Sequence, residues 1–232
     1  YEPPRRCSHL ERQALHARVR EYRHSGICSD SVSSWASNPL MVPKKDTDRT
    51  VDDYRLCVDL RGLNNATKAD RRPLPRIEDL TEAVRGCRWL TTLDLKSAFN
   101  SYQIHPDDRH KTAFYAGDFG LQEFNRLTMG LQNAPSIFQR LVERIFSDFI
   151  GTADDTAPDF RAFCKIYLDD IIIFSRTWEE HKRHISLVMQ RLHQAGFKLN
   201  AEKAYFGQKE VMYCGFIISG ESTRPNPSLC KA

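Results

Sequence analysis

Residues 163–175 read Phe163-Cys164-Lys165-Ile166-Tyr167-Leu168-Asp169-Asp170-Ile171-Ile172-Ile173-Phe174-Ser175. Two carboxylates stand between two short runs of β-branched and aromatic residues, the composition of strands buried in a sheet. The pattern predicts strands over 163–168 and 171–175 hinged on Asp169-Asp170. A turn can be acidic for a plain reason, since Asp tolerates tight-turn dihedrals. Beside a sheet core, however, adjacent carboxylates are costly to desolvate unless a cation neutralises them. Asp94 repeats the situation, ending the apolar run Trp89-Leu90-Thr91-Thr92-Leu93 before Leu95. Three carboxylates at the ends of apolar strands could converge on one point of a sheet. Such hard oxygen donors suit a two-Mg²⁺ phosphoryl-transfer site, where the ions stabilise both the attacking and the leaving oxygens.

Outward from this hairpin, helices and strands alternate. Downstream, Thr177-Trp178-Glu179-Glu180 is a capping box that opens a helix through Ile185, Val188, Met189 and Leu192 to Gly196. Short strands follow around Tyr205-Phe206 and over 211–218. Upstream, 151–159 is a polar loop, and Asn133 caps a helix with Pro135 in its first turn. That helix carries the apolar stripe Ile137, Phe138, Leu141, Val142, Ile145, Phe146 and Phe149, the face of a helix packed on a sheet. Segments 111–115 and 121–124 form a hairpin around Gly117-Asp118-Phe119-Gly120, and 89–95 is a strand. Pro73 and Pro75 break the chain before a helix over 77–84 closed by Gly86. Strands over 39–43 and 56–60 follow a Ser-rich turn at 29–37. A first helix opens on the capping box Ser8-His9-Leu10-Glu11, carries Leu15, Val19 and Tyr22 on one face, and stops at Gly26. No Gly-rich phosphate loop interrupts the alternation. The class is α+β, an antiparallel sheet backed by helices.

Composition excludes several alternatives. The 232 residues are 41% hydrophobic and 28% charged, with 11 Gly and 11 Pro, ordinary for a folded chain and unlike a disordered one. The net charge of +4 is compatible with nucleic acid and far too small to argue for it. No apolar run approaches a membrane span, and no signal peptide opens the chain. Without an initiator Met, the chain reads as a fragment or a processed product. The seven cysteines are scattered with no C-x-x-C pair, so neither a disulfide framework nor a zinc site is suggested. The eight histidines form no H-E-x-x-H pattern; His181 and His184, one turn apart on a helix, read as exposed.

Seven ordered stretches carry a family resemblance. Tyr167-Leu168-Asp169-Asp170 resembles the Tyr-x-Asp-Asp box of reverse transcriptases. Leu93-Asp94-Leu95-Lys96-Ser97-Ala98-Phe99 is similar to their first catalytic motif. Leu127-Thr128-Met129-Gly130-Leu131-Gln132-Asn133-Ala134-Pro135 with Phe138-Gln139-Arg140 is similar to the second. Arg55-Leu56-Cys57-Val58-Asp59-Leu60-Arg61-Gly62-Leu63-Asn64 resembles the fingers strand, and Pro73-Leu74-Pro75-Arg76-Ile77 its exit. Gly196-Phe197-Lys198-Leu199-Asn200-Ala201-Glu202-Lys203 follows the palm helix. The match runs in order from about Ser8 to the last residues, with the flavour of gypsy-like long-terminal-repeat retrotransposons.

The resemblance implies roles. Asp94 and Asp169 would be the main metal ligands, with Asp170 weaker or indirect, for two Mg²⁺ ions that Mn²⁺ may replace. Lys44 and Arg55 would clamp the triphosphate of the incoming dNTP, Arg offering a planar donor fork. A solvated loop-tip charge is the other reading of Lys44, and the acidic tip over 46–53 leaves the choice between Lys44 and Lys45 open. Phe99 would lie under the sugar and reject a 2′-hydroxyl, or simply pack in the core. Met129, Gly130 and Gln132 would border the base and sugar. Ser101 stands where gypsy-like enzymes often have Gln, and Met129 where retroviral ones have a polar residue. Lys203 would donate a proton to the leaving pyrophosphate, or be a surface lysine. Tyr213, Cys214, Gly215 and Phe216 would grip the primer 3′ end, or form an edge hairpin.

The implied fold is the polymerase right hand: an N-terminal segment and fingers over 1–92, then a palm over 93–232. A fingers hairpin at about 111–126 and a primer-grip hairpin at about 205–218 are interleaved, and the thumb is absent. Implied partners are an RNA or DNA template with its primer, dNTPs, and the thumb, ribonuclease H and integrase regions of a parent polyprotein, with no membrane. The setting would be intracellular, a cytoplasmic particle and the nucleus being equally compatible. The alternative is a captured or decayed relic that binds nucleic acid or protein without polymerising.

Overall fold

The structure, a computed structural model, describes residues 5–44, 47–71, 77–147 and 159–227. Its elements begin with α1 (His9–His24), β1 (Cys28–Asp30), β2 (Pro39–Pro43), β3 (Tyr54–Val58), α2 (Arg61–Ala66) and α3 (Ile77–Val84). Next come β4 (Trp89–Asp94), α4 (Pro106–Arg109), β5 (Phe114–Tyr115), β6 (Leu121–Phe124) and α5 (Ala134–Ser147). The last are β7 (Cys164–Tyr167), β8 (Asp170–Ser175), α6 (Trp178–Gln194), β9 (Tyr205–Gln208), β10 (Glu210–Tyr213), β11 (Phe216–Ser219) and β12 (Thr223–Pro225). All strand pairs among the described residues are antiparallel. Among the same residues no helix is long and apolar enough to cross a membrane.

Two compact units divide the chain: Tyr1–Asp70 with Phe99–Ala134, and Arg71–Ala98 with Pro135–Ala232. The boundary expected at residue 92 therefore falls inside β4. That strand is central to the second unit's sheet and keeps α3 with it, through the packing of Leu80 and Val84 near Leu90, Ile172 and Phe174. The segment 99–134 belongs with the N-terminal residues because Phe114, Ala116 and Phe124 share a core with Leu15 and Val19 of α1.

In the first unit, α1 is capped as its sequence dictates. Glu11 N–H donates to Ser8 Oγ at 3.2 Å, and Glu11 Oε2 accepts from Ser8 N–H at 2.7 Å. The Ser-rich stretch read as a turn overlaps the last two residues of β1, which pairs with β6 in the three-stranded sheet β1-β6-β5. Its three residues are too few for a periodic signal; the cross-strand partners Phe124, Glu123 and Gln122 create it. β2 and β3 form a separate ribbon, Pro39 opposite Val58 and Pro43 opposite Tyr54, so the second strand starts two residues earlier than its apolar run.

In the second unit the sheet order is β7-β8-β4-β9. Ile171, Ile172 and Ile173 are fully buried, as a strand covered on both faces requires. β10, β11 and β12 make a second small sheet. The Thr177 capping box forms, with Glu180 N–H on Thr177 Oγ1. Contrary to expectation, His181 has no exposed surface. Its Nε2 lies 2.8 Å from Thr91 Oγ1 and its Nδ1 2.9 Å from Ser175 Oγ, which also meets His184 Nδ1 at 2.8 Å. An imidazole can sit on the buried face of α6 because two strand hydroxyls satisfy both its nitrogens. Burial pushes its pKa down to about 4, so the ring is neutral in the fold. The expectations placed on Pro73, Pro75, Phe149 and most of the loop 151–159 lie outside the described residues.

Candidate active site

The hairpin β7–β8 closes differently from the hinge read in the sequence. Tyr167 pairs with Asp170, so the two turn residues are Leu168 and Asp169, and Asp170 opens β8. Leu168 has φ 54°. A left-handed first turn residue suits the twist of a tight hairpin, but that place usually belongs to Gly, and for Leu it costs about 1–2 kcal/mol.

Four contacts hold the strained turn. Leu168 N–H donates to Gln139 Oε1 at 2.9 Å, and Gln139 Nε2 donates to the Ile166 carbonyl at 3.1 Å. Leu95 N–H donates to the Asp169 carbonyl at 3.0 Å, and Tyr213 Oη donates to the Asp170 carbonyl at 3.0 Å.

The register of β4 with β8 sets Asp94 directly opposite Asp170. Two like charges in that relation repel. Burial, then Asp169 and Asp94, push the Asp170 pKa up to about 6, while Lys203 opposes them. Lys203 brings a positive charge to these carboxylates: its Nζ lies 3.1 Å from Asp94 Oδ2. The segment after α6 carries it there, since Lys96 N–H donates to the Lys198 carbonyl and Asn200 N–H to the Asp94 carbonyl. Asp94 keeps 17% of its side chain exposed, Lys203 61%.

Among the described residues no three His, Cys, Asp or Glu side chains are gathered closely enough to be a ready-made metal cluster. The donor chemistry nevertheless fits a hard divalent cation. All candidate donors are carboxylate oxygens, and the burial and mutual repulsion that raise the Asp170 pKa are what such an ion would offset.

The hairpin expected to grip a primer is β10–β11, with Cys214 and Gly215 as its turn at φ 48° and 82°. Positive φ at both places is the arrangement of a type I′ turn. Tyr213 is 4% exposed, its ring packed in the core and its hydroxyl donating to the Asp170 carbonyl. Cys214 Sγ lies 4.0 Å from Asp170 Oδ2, and burial followed by that carboxylate pushes the thiol up to about 12. Phe216 is half-buried beside the same core.

The remaining candidates lie in the first unit. Lys44 follows β2; its Nζ donates to the Asp52 carbonyl at 2.9 Å, tying it to the end of its own ribbon. Arg55 stands exposed on β3. Phe99 is half-buried in a 3₁₀ turn, Ala98–Ser101. Met129 is 60% exposed. Gly130 and Gln132 are both held by one side chain that sequence reasoning left without a role. Asn64 Nδ2 donates to the Gly130 carbonyl at 2.8 Å, and Asn64 Oδ1 accepts from Gln132 N–H at 2.9 Å. Asn133 does the same for 68–70, donating to the Lys68 carbonyl and accepting from Asp70 N–H. A carboxamide in a helical or loop motif signals such bridging only after the fold brings a distant backbone to it.

Comparison with known proteins agrees with this geometry. The family profile described as reverse transcriptase (RNA-dependent DNA polymerase) matches residues 42–218. The chain belongs to the reverse transcriptase family. It is 37% identical over 215 residues to the retrovirus-related Pol polyprotein from transposon gypsy of Drosophila melanogaster, covering 92% of this chain and 20% of that protein. The corresponding protein from transposon 297 is 35% identical over 214 residues, covering 92% and 19%. The chain thus spans about a fifth of the length of these relatives. Among solved structures, the foamy viral protease-reverse transcriptase in complex with RNA/DNA hybrid superposes with a TM-score of 0.81 at 19% identity, covering 98% of this chain and 28% of the other. The same protein in complex with dsDNA gives 0.81 at 21% identity, covering 98% and 44%. The right-hand polymerase fold of reverse transcriptases is therefore the fold of this chain.

Proposed function

We propose that the chain is the polymerising region of a retroelement Pol polyprotein and adds deoxynucleotides to a primer 3′ end on an RNA or DNA template. The observation that carries this reading is the register that opposes Asp94 and Asp170 across β4 and β8, with Asp169 beside them in the turn. Asp94 and Asp169 would hold divalent cations, two Mg²⁺ or Mn²⁺ ions, with Asp170 contributing more weakly. When bound, these cations supply charge stabilisation for the attacking and leaving oxygens of an in-line displacement.

The side chains of the chain do the rest. Lys203, an exposed ammonium on a flexible stem, would leave Asp94 and present a proton to the departing pyrophosphate. Lys44 and Arg55 would bind the triphosphate, Arg55 as a bidentate fork. Met129, Gly130 and Gln132, fixed by Asn64, would border the nucleotide, and Phe99 would exclude a 2′-hydroxyl. Cys214, Gly215 and Phe216 would meet the primer terminus. The foamy viral relatives solved with RNA/DNA hybrid and with dsDNA support nucleic acid as the partner class, and the polyprotein relatives support a longer parent chain carrying other retroelement activities.

Primer extension on poly(rA)/oligo(dT) with Mg²⁺ or Mn²⁺ tests this. Asp94→Asn and Asp169→Asn keep the side-chain shape and remove the charge. Each is expected to lower extension by orders of magnitude while circular dichroism stays that of wild type. Wild-type rates from both variants would overturn the reading.

A further inference from the structure

The catalytic hairpin has an unusual support. β7 is an edge strand, so the outward backbone groups of its last residues lack a neighbouring strand. Gln139, in the second turn of α5 and only 2% exposed, meets them. Its carboxamide accepts from Leu168 N–H and donates to the Ile166 carbonyl, two residues apart. One residue of a parallel neighbouring strand would make the same pair of bonds with its own N–H and C=O. The second N–H of the amide donates to Glu143 Oε1 at 3.1 Å, one helical turn along α5, which fixes the plane of the group. Both N–H groups and the oxygen of the amide are therefore engaged inside the protein.

The clamp grips the residue that most needs holding. Leu168 is in the left-handed region, and the residues that follow it are Asp169 and Asp170. If Leu168 relaxes to an ordinary φ, the turn re-forms and the Asp169 carboxylate shifts relative to Asp94 and Asp170, which the β4–β8 pairing holds opposite each other. We propose that Gln139 is a positioning residue for nucleotide addition, a one-residue surrogate strand that keeps Leu168 left-handed and so sets where Asp169 stands. Gln139 touches no reacting atom. The proposal rests on the polymerase reading above for its effect on rate, and on the hydrogen bonds alone for its effect on the turn.

Gln139→Met keeps the side-chain volume and removes both backbone bonds. Amide hydrogen exchange is the first measurement: the Leu168 N–H should exchange at least about tenfold faster than in wild type, with Ile172 in the same β8 core unchanged. Primer extension is the second: kcat should fall by about a hundredfold, as small displacements of reacting groups do, with the Kd for template–primer unchanged. The third is rescue. Gly occupies the left-handed region freely, so Gln139→Met combined with Leu168→Gly should recover a large part of the lost kcat. A loss through core packing alone would not respond to Leu168→Gly. If Gln139→Met does not fold, Gln139→Asn keeps the amide, withdraws it by one methylene, and carries the same comparisons.

Unchanged exchange at Leu168 in a folded variant overturns the clamp. Unchanged kcat alongside faster exchange overturns the positioning role, as does a kcat loss that the double variant does not recover. A wild-type chain that extends no primer overturns the polymerase reading instead, and the exchange measurement still decides the clamp.

Discussion

Phe99 follows Asp94 by five residues and is half-buried in the 3₁₀ turn Ala98–Ser101. An aromatic wall under the sugar would meet a 2′-hydroxyl with overlap and no hydrogen-bond partner, which discriminates strongly. Phe99→Val is therefore expected to admit ribonucleotides, raising kcat/KM for UTP relative to dTTP by about tenfold or more. Steady-state kinetics with both nucleotides on one primer checks this; equal proportional loss for both would return the ring to packing alone. Arg55 and Asn64 make a contrast at the same scale. The resemblance singles out Arg55 by its motif, whereas Asn64 acquires its role only from the loop it bridges, Gly130 to Gln132.

At the scale of elements, the sequence reads best where the signal is local. The capping boxes at Ser8 and Thr177 lie within four residues each, and both helices begin where those residues dictate. Element ends set by distant partners read poorly, as β1 shows. Close approach of two connections is another such case. A Cβ at Gly220 would stand 1.9 Å from the Cys87 carbonyl oxygen, a backbone atom that cannot swing aside. Gly220→Ala is expected to destabilise the chain by about 1–3 kcal/mol through that overlap. Gly62, in α2, meets nothing within 4 Å, so Gly62→Ala should instead stabilise by about 0.4–1 kcal/mol. Denaturant titrations of both variants at one pH test the opposite signs.

Two further expectations concern the whole molecule. His181 has a folded pKa near 4, below its unfolded value of about 6.5, so the fold binds the neutral ring. Between those values the unfolded chain holds more protons. The contribution is full above about pH 6.5, declines as pH falls, and is lost through pH 4, amounting to about 3 kcal/mol. Asp170, raised to about 6, acts with the opposite sign between about pH 4 and 6. Comparing stability at pH 7.5 and pH 5 in wild type and in His181→Gln isolates the histidine; an equal pH dependence in both would refute its part. Nucleic-acid affinity should also be dominated by phosphate contacts, despite a net charge of only +4. The Kd for template–primer is expected to weaken by about tenfold or more between 50 and 200 mM salt; an unchanged Kd would exclude that mode.

The sequence by itself determined the α+β class and the longer helices and strands, and its motifs carried the family resemblance. The elements follow from periodicity and capping residues, properties of neighbours along the chain. The tertiary structure alone decided that Asp170 faces Asp94, that His181 is buried and neutral, that Tyr213 packs in the core, and that Gln139 bonds to the backbone around Leu168. Each depends on a partner more than two dozen residues away, except the burial of His181, which needs β4 as well as the nearby β8. A hydrogen-bonding side chain does not reveal its partner until packing brings the two together.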